Sequence, residues 1–180
     1  MKTLVVYYSK TGNNKFLAEK ISSALQGDLL PIRPRLNMLP LLILFTVVKK
    51  SAGIRKQQID VNVYDRIVLC GPIWMGQLIS PISDFLNKNR DKIKKLHFVT
   101  CSGTSESEKE SKFGYGAVFR KVENLMGGKL GHSELFSVTL VLPEEKRDNS
   151  DAVMKTRLSE ENFSGDIQER FEKFVSEINR

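Results

Sequence analysis

Continuous apolar runs alternate with stretches of helical spacing along this chain. Thr3–Tyr8 is an unbroken apolar run and predicts a first strand. Apolar positions then recur at helical spacing through Lys15-Phe16-Leu17-Ala18-Glu19-Lys20-Ile21, predicting a helix over Asn14–Leu25. A second strand is expected over Leu29–Arg33, ahead of Pro34, followed by a largely helical segment over Leu36–Ile54 that Gly53 helps to end. Tyr64–Cys70 reads as a third strand, apolar enough to be buried on both faces as parallel strands are. A helix is predicted from Pro81 to Asn87, and a fourth strand over Leu96–Thr100. Tyr115–Met126 reads as a helix stopped by Gly127-Gly128. Phe136–Leu142 is the expected fifth strand and Asp166–Ile178 the closing helix, with Ile167, Phe171, Phe174, Val175 and Ile178 at helical spacing. Five strands alternating with helices predict an α/β fold, a three-layer doubly wound parallel sheet.

A length of 180 residues suits one well-buried core, so a single domain over 1–180 is expected. The polar stretch 143–165 is too long for an ordinary strand-to-helix connection and reads as an insertion, partly helical at most. The longest apolar run, Leu39–Val48, is broken early by Pro40 and is too short to span a bilayer. A helix buried against the sheet is the expected outcome there, ahead of an interfacial helix. Cys70 and Cys101 have neither metal-ligand nor redox-pair spacing. With no secretory signal evident, they read as reduced thiols of a cytoplasmic protein.

The net charge of +7 is unevenly spread, +10 over residues 1–100 and −3 over 101–180. The basic clusters, Lys49-Lys50 with Arg55-Lys56 and Lys88 through Lys95, lack interleaved aromatics and any nucleic-acid module. A solvated basic face that docks an acidic partner is therefore expected, with no nucleic acid bound.

Ligands of open parallel sheets bind at the C-terminal ends of the strands. After strand one, Ser9-Lys10-Thr11-Gly12-Asn13-Asn14 turns through hydroxyl, glycine and amide residues into a helix. Free N–H groups and the dipole at a helix start make an anion site, to which Ser9, Thr11, Asn13 and Asn14 can add donors. After strand three comes Gly71-Pro72-Ile73-Trp74-Met75-Gly76, which places the only Trp of the chain in a loop where its face suits stacking on a planar heterocycle. After strand four comes Cys101-Ser102-Gly103-Thr104. Cys101 reads as a small loop residue rather than a redox thiol, since no activator is visible nearby. His97 and His132 form no ligand cluster, and Glu106–Glu110 reads as a solvated helix start. No G-x-x-x-x-G-K pattern is present, which argues against nucleotide hydrolysis.

These motifs, in this order, resemble the flavodoxin-like family that binds flavin mononucleotide (FMN). Ser9–Asn13 resembles its phosphate loop, and Gly71–Gly76 with Pro81 and Phe85-Leu86 its second flavin loop. Thr100–Thr104 sits where the third loop belongs. Asn14 departs from the family, which often has a hydroxyl residue there. The resemblance implies strand order 2-1-3-4-5 and non-covalent FMN. Its phosphate would sit on Ser9, Lys10, Thr11, Gly12, Asn13 and Asn14. Its ring would lie between Pro72, Ile73, Trp74, Met75 and Gly76 on one side and Cys101, Ser102 and Gly103 on the other. It also implies electron transport to a redox partner protein, by a monomer or homodimer. An NAD(P)H-dependent FMN oxidoreductase that reduces a quinone, or a flavin-free binding module, are the alternatives. No carboxylate lies in 71–76 or 100–104, so a hydroquinone couple less negative than in acidic flavodoxins is expected.

Overall fold

A computed structural model describes residues 1–57 and 59–180. The strands are β1 (Thr3–Tyr7), β2 (Asp28–Pro31), β3 (Arg66–Cys70), the two-residue β4 (Ile73–Trp74) and β5 (Gln77–Leu78), β6 (Leu96–Ser102) and β7 (Leu130–Ser137). The helices are α1 (Asn13–Leu25), α2 (Leu39–Val47), α3 (Ser80–Asn89), α4 (Gly116–Met126), α5 (Ser150–Lys155) and α6 (Asp166–Ile178). The main sheet is parallel with order β2-β1-β3-β6-β7, the expected 2-1-3-4-5 arrangement. β4 and β5 form a separate antiparallel hairpin directly after β3.

Alternation along the strands builds two cores. Leu4, Val6, Ile67, Leu69 and Phe98 face one side, where Phe85 of α3 and Val118 and Val122 of α4 pack on them. Val5, Val68, Val99 and Phe136 face the other, against Leu17 and Ile21 of α1 and Ile167 and Phe174 of α6. Each such fully buried side chain contributes roughly 1.5–3 kcal/mol relative to exposure. Arg66, buried at the start of β3, donates to Thr3 Oγ1 (2.7 Å), to Asn179 Oδ1 (2.8 Å) and to the Ile178 carbonyl. A cation at the C-terminus of α6 also meets the negative end of that helix dipole.

The fifth strand is displaced from its expected place. It runs over Leu130–Ser137, and most of the apolar Phe136–Leu142 run lies in a 3-10 turn, Val138–Val141. Ser137 ends the strand by accepting the Thr139 N–H at 3.2 Å. As an edge strand, β7 tolerates polar His132, Ser133 and Glu134, while Leu135, Phe136 and Ser137 supply its buried positions. Its pairing with β6 shifts between Leu96 and Phe98, and the His97 ring fills the space above Gly131.

The segment Leu36–Ile54 is helical only over Leu39–Val47. Lys49, at φ 54°, ends the helix, and the chain then extends so that Ile54 bridges Pro34. Only Leu42 and Thr46 of α2 are fully buried, so the expected burial against the sheet is partial. The stretch 143–165 holds a 3-10 turn and α5 and then packs inward through Leu158 and Phe163. Among the described residues no helix is long and apolar enough to cross a membrane.

Candidate functional site

The sheet's switch point lies at β1, with β2 on one side and β3 on the other. The loop leaving β1 reaches α1 through Gly12, whose φ of 102° is strained for any side chain. Gly12 N–H bonds Ser9 Oγ at 3.1 Å, which curls the loop back on itself. No side chain caps α1. The N–H groups of Asn13, Asn14 and Lys15 find no acceptor among the described residues. Ser9 is half-buried, and Lys10, Thr11 and Gly12 are exposed. Four features therefore converge on one spot: free backbone donors, a positive dipole end, a glycine turn and flanking side-chain hydroxyls.

The amide side chains of Asn13 and Asn14 are turned to other partners. Asn14 Nδ2 donates to the Cys101 carbonyl (3.0 Å), and Asn14 Oδ1 accepts the Cys101 N–H (2.9 Å). The reason lies in the sheet. β3 stops at Cys70, and Gly71 N–H makes the last bond across to β6, on the Val99 carbonyl. Cys101 has the same strand parity as Val99, so its backbone groups face the side that β3 has left. The primary amide of Asn14 stands in for the missing peptide. Asn13 acts in the same way toward the chain's later half, donating to the Thr156 carbonyl (3.2 Å) and accepting the Leu158 N–H (3.0 Å). Both asparagines shape the loop, and what remains for an anion is their backbone.

Met75 and Gly76 form the tip of the β4–β5 hairpin, with φ of 51° and 66°. This pair of positive angles is the two-residue turn that tight hairpins favour. A Cβ on Gly76 would sit 2.9 Å from the Lys112 carbonyl, so the hairpin is pressed against residues 112–113. Trp74 is half-buried, with its ring edge-on to Tyr8 at 6.4 Å and 75°. It closes the core edge beside β1, and the adjacent Ile73 faces the groove described next.

Cys101 and Ser102 belong to β6 itself. The Cys101 thiol is buried in the core, and burial pushes its pKa up to about 12 and keeps it a neutral thiol. Gly103 makes room for α5: a Cβ there would meet Val153 at 2.6 Å. A cleft of about 860 Å³ lies beyond, bounded by Ile73, Ser102–Glu108, Leu140 and α5. Arg170 lines this cleft, paired with Glu106 and with Glu134 (3.1 Å). Burial raises the pKa of Glu134, and Arg170 partly offsets it. A second cleft of about 540 Å³, on the β2 side of the loop between β1 and α1, is lined by Ser9, Lys10, Arg33 and Arg55. Of the two clefts, the second is lined by residues of that loop and the first is not, and Pro72, Trp74, Met75 and Gly76 line neither.

Sequence reasoning missed Thr156, Leu158 and Val153, which fix the first and third loops from the segment read as an insertion. It also missed Arg170 at the cleft wall. A polar stretch gives no periodic signal for such contacts. His97 and His132 are structural: the rings stack at 5.8 Å, and His97 Nδ1 accepts the His132 N–H at 3.1 Å. No metal-binding cluster occurs among the described residues.

No family model and no curated protein matches the chain. Solved structures do. A flavoprotein from Lactobacillus acidophilus NCFM, solved in complex with FMN, is 21% identical with a TM-score of 0.62, covering 74% of this chain and 92% of its own. A flavodoxin from Streptococcus pneumonia TIGR4 is 14% identical with a TM-score of 0.52, covering 99% and 98%. A WrbA-like flavodoxin from Agrobacterium tumefaciens is 16% identical with a TM-score of 0.54, covering 99% and 95%. Strand order, the helix layers on both faces and these neighbours together give the conclusion that this chain has the flavodoxin-like fold.

Proposed function

We propose that this protein binds FMN and acts as a redox flavoprotein that carries electrons between partners. The observation that carries the reading is the uncapped N-terminus of α1 at the sheet's switch point, turned into place by Gly12. No atom lies within 4 Å of a Cβ built on Gly12, so the space before the loop is open. The residues fit a phosphate: N–H groups of Asn13, Asn14 and Lys15, the hydroxyls of Ser9 and Thr11, and the ammonium of Lys10. The ring would lie toward Ile73 and Ser102–Thr104, in a cleft whose size is ordinary for a cofactor site. Bound flavin supplies one- and two-electron transfer, and the protein positions it and tunes its potential. The chain's own part is to hold the phosphate by backbone donors and to fix the third loop through Asn14.

Titration of flavin-free protein with FMN and with riboflavin, followed by flavin fluorescence, tests this. A phosphate held by several charge-assisted bonds makes FMN bind at least about tenfold tighter than riboflavin. Equal affinities, or no binding of either, would reject the reading.

The roomy cleft beside the third loop favours a second reading, a flavin oxidoreductase that admits a nicotinamide donor and a small acceptor. Stopped-flow mixing of the FMN-loaded protein with NADH and NADPH separates the two, because a carrier reacts very slowly with either.

A further inference from the structure

Helix α2 inverts the usual rule of burial. Its sequence, Leu39–Val47, is apolar but for Thr46, and Thr46 is the residue turned inward together with Leu42. The inversion is built by hydrogen bonds. Thr46 Oγ1 donates to the Leu42 carbonyl (2.7 Å) and accepts the Ser80 N–H at the head of α3 (3.1 Å). Ser80 Oγ in turn accepts the Ala52 N–H (2.8 Å) and donates to the Lys50 carbonyl (3.2 Å), fixing the chain that leaves the helix. With the helix rotation set in this way, Leu44, Val47 and Val48 point outward. Leu36, Met38, Leu39, Leu44, Val47 and Val48 are each 40–63% exposed, and they are six of the eleven large apolar residues exposed among those described. Clustering of this kind on a chain surface marks an interaction site.

Charge decides the occupant. Between Asp28 and Asp60 the sequence carries six cations (Arg33, Arg35, Lys49, Lys50, Arg55 and Lys56) and no acidic residue. None of the six forms an ion pair among the described residues. A two-fold dimer through this face would set the cations of one copy beside those of the other. An apolar face that runs directly into Lys49 and Lys50 instead matches an anionic bilayer surface, where apolar side chains enter the acyl boundary and cations meet headgroups. We propose that the α2 face is a membrane-docking surface for anionic lipid, holding the protein at the bilayer without crossing it. The proposal is independent of the flavin reading.

Co-sedimentation of the full chain with vesicles tests it. One set is phosphatidylcholine alone, and the other contains about 30% phosphatidylserine, enough to impose a negative surface potential. Binding to the anionic set is expected to be at least about tenfold stronger than to the neutral set and to weaken in high salt. L44S/V47S and, separately, K49E/K50E should each lower anionic-vesicle binding by roughly tenfold or more, since these side chains are exposed and the far-UV spectrum should not change. Failure to bind anionic vesicles overturns the proposal. So does self-association that L44S/V47S abolishes, or vesicle binding that neither variant reduces. FMN affinity, measured on the same variants, should stay at the wild-type value.

Discussion

Replacing Asn14 by alanine should damage the fold more than its place in a surface loop suggests. The substitution removes both hydrogen bonds to Cys101 and leaves a buried N–H and a buried carbonyl with no partner from β3. A buried backbone group left unpaired costs about 1–3 kcal/mol, so the pair predicts a loss of roughly 2–6 kcal/mol, and of roughly 2–4 kcal/mol where water satisfies part of it. With a urea slope of about 2 kcal/mol/M, that water-relieved loss lowers the unfolding midpoint by roughly 1–2 M. Equilibrium unfolding in urea, followed by the fluorescence of Trp74, reads this directly. Asn14→Asp offers a sharper comparison, since a carboxylate still accepts the Cys101 N–H but cannot donate to its carbonyl. It should fall between wild type and Asn14→Ala in stability, and it should bind phosphate ligands more weakly than either through like charge. A midpoint for Asn14→Ala within about 0.3 M of wild type would refute the view that this amide replaces a missing strand.

Gly76→Ala should destabilise more than Gly12→Ala. Both carry strain of about 1–2 kcal/mol from positive φ, but only Gly76 would also push on residues 112–113. Thermal melts of the two variants compare them, and a larger loss for Gly12→Ala would contradict the geometry. His97 gives a pH dependence of definite sign. Burial first, then the charges of His132, Arg66 and Lys95, lower its pKa to about 4 in the folded protein against 6.5 unfolded. The unfolded chain therefore binds more protons between these values. Stability is fully present above pH 6.5 and is lost as pH falls toward 4, by up to about 3 kcal/mol from this group. Urea midpoints across that range should fall with acid, and His97→Gln should flatten the slope; a slope unchanged by the substitution counts against the assignment.

Much of the architecture was legible because burial imposes periodicity. The runs Thr3–Tyr8, Tyr64–Cys70 and Leu96–Thr100 mark three central strands covered on both faces, each to within two residues of its observed ends. The edge strand was misplaced by six residues at its start. Its polar half is stabilised by contacts such as Glu134 with Arg170, whereas the more apolar stretch after it packs as a turn. The glycine turn from β1 into α1 was readable from local chemistry, since such a turn needs only neighbouring residues. The work of Asn13 and Asn14 was not, because their partners lie 87 to 145 residues away. Nor could spacing show that α2 buries its hydroxyl while Leu39 and Leu44 stay exposed, since that choice is made by a hydrogen bond from the head of α3.

The reach of Asn13 sets an order on the birth of the molecule. A chain is synthesised from its N-terminus, and domains complete themselves as their last contacts become available. The loop between β1 and α1 is made before its partners, and Cys101 and then Thr156 and Leu158 must follow before its two asparagines are held. Until then, the amides that finally brace the loop are loose and free to compete for the same helix donors. Bracing of the loop is thus deferred until Leu158 has been made, and a chain cut short before it yields a loop with the right letters and no frame to hold it.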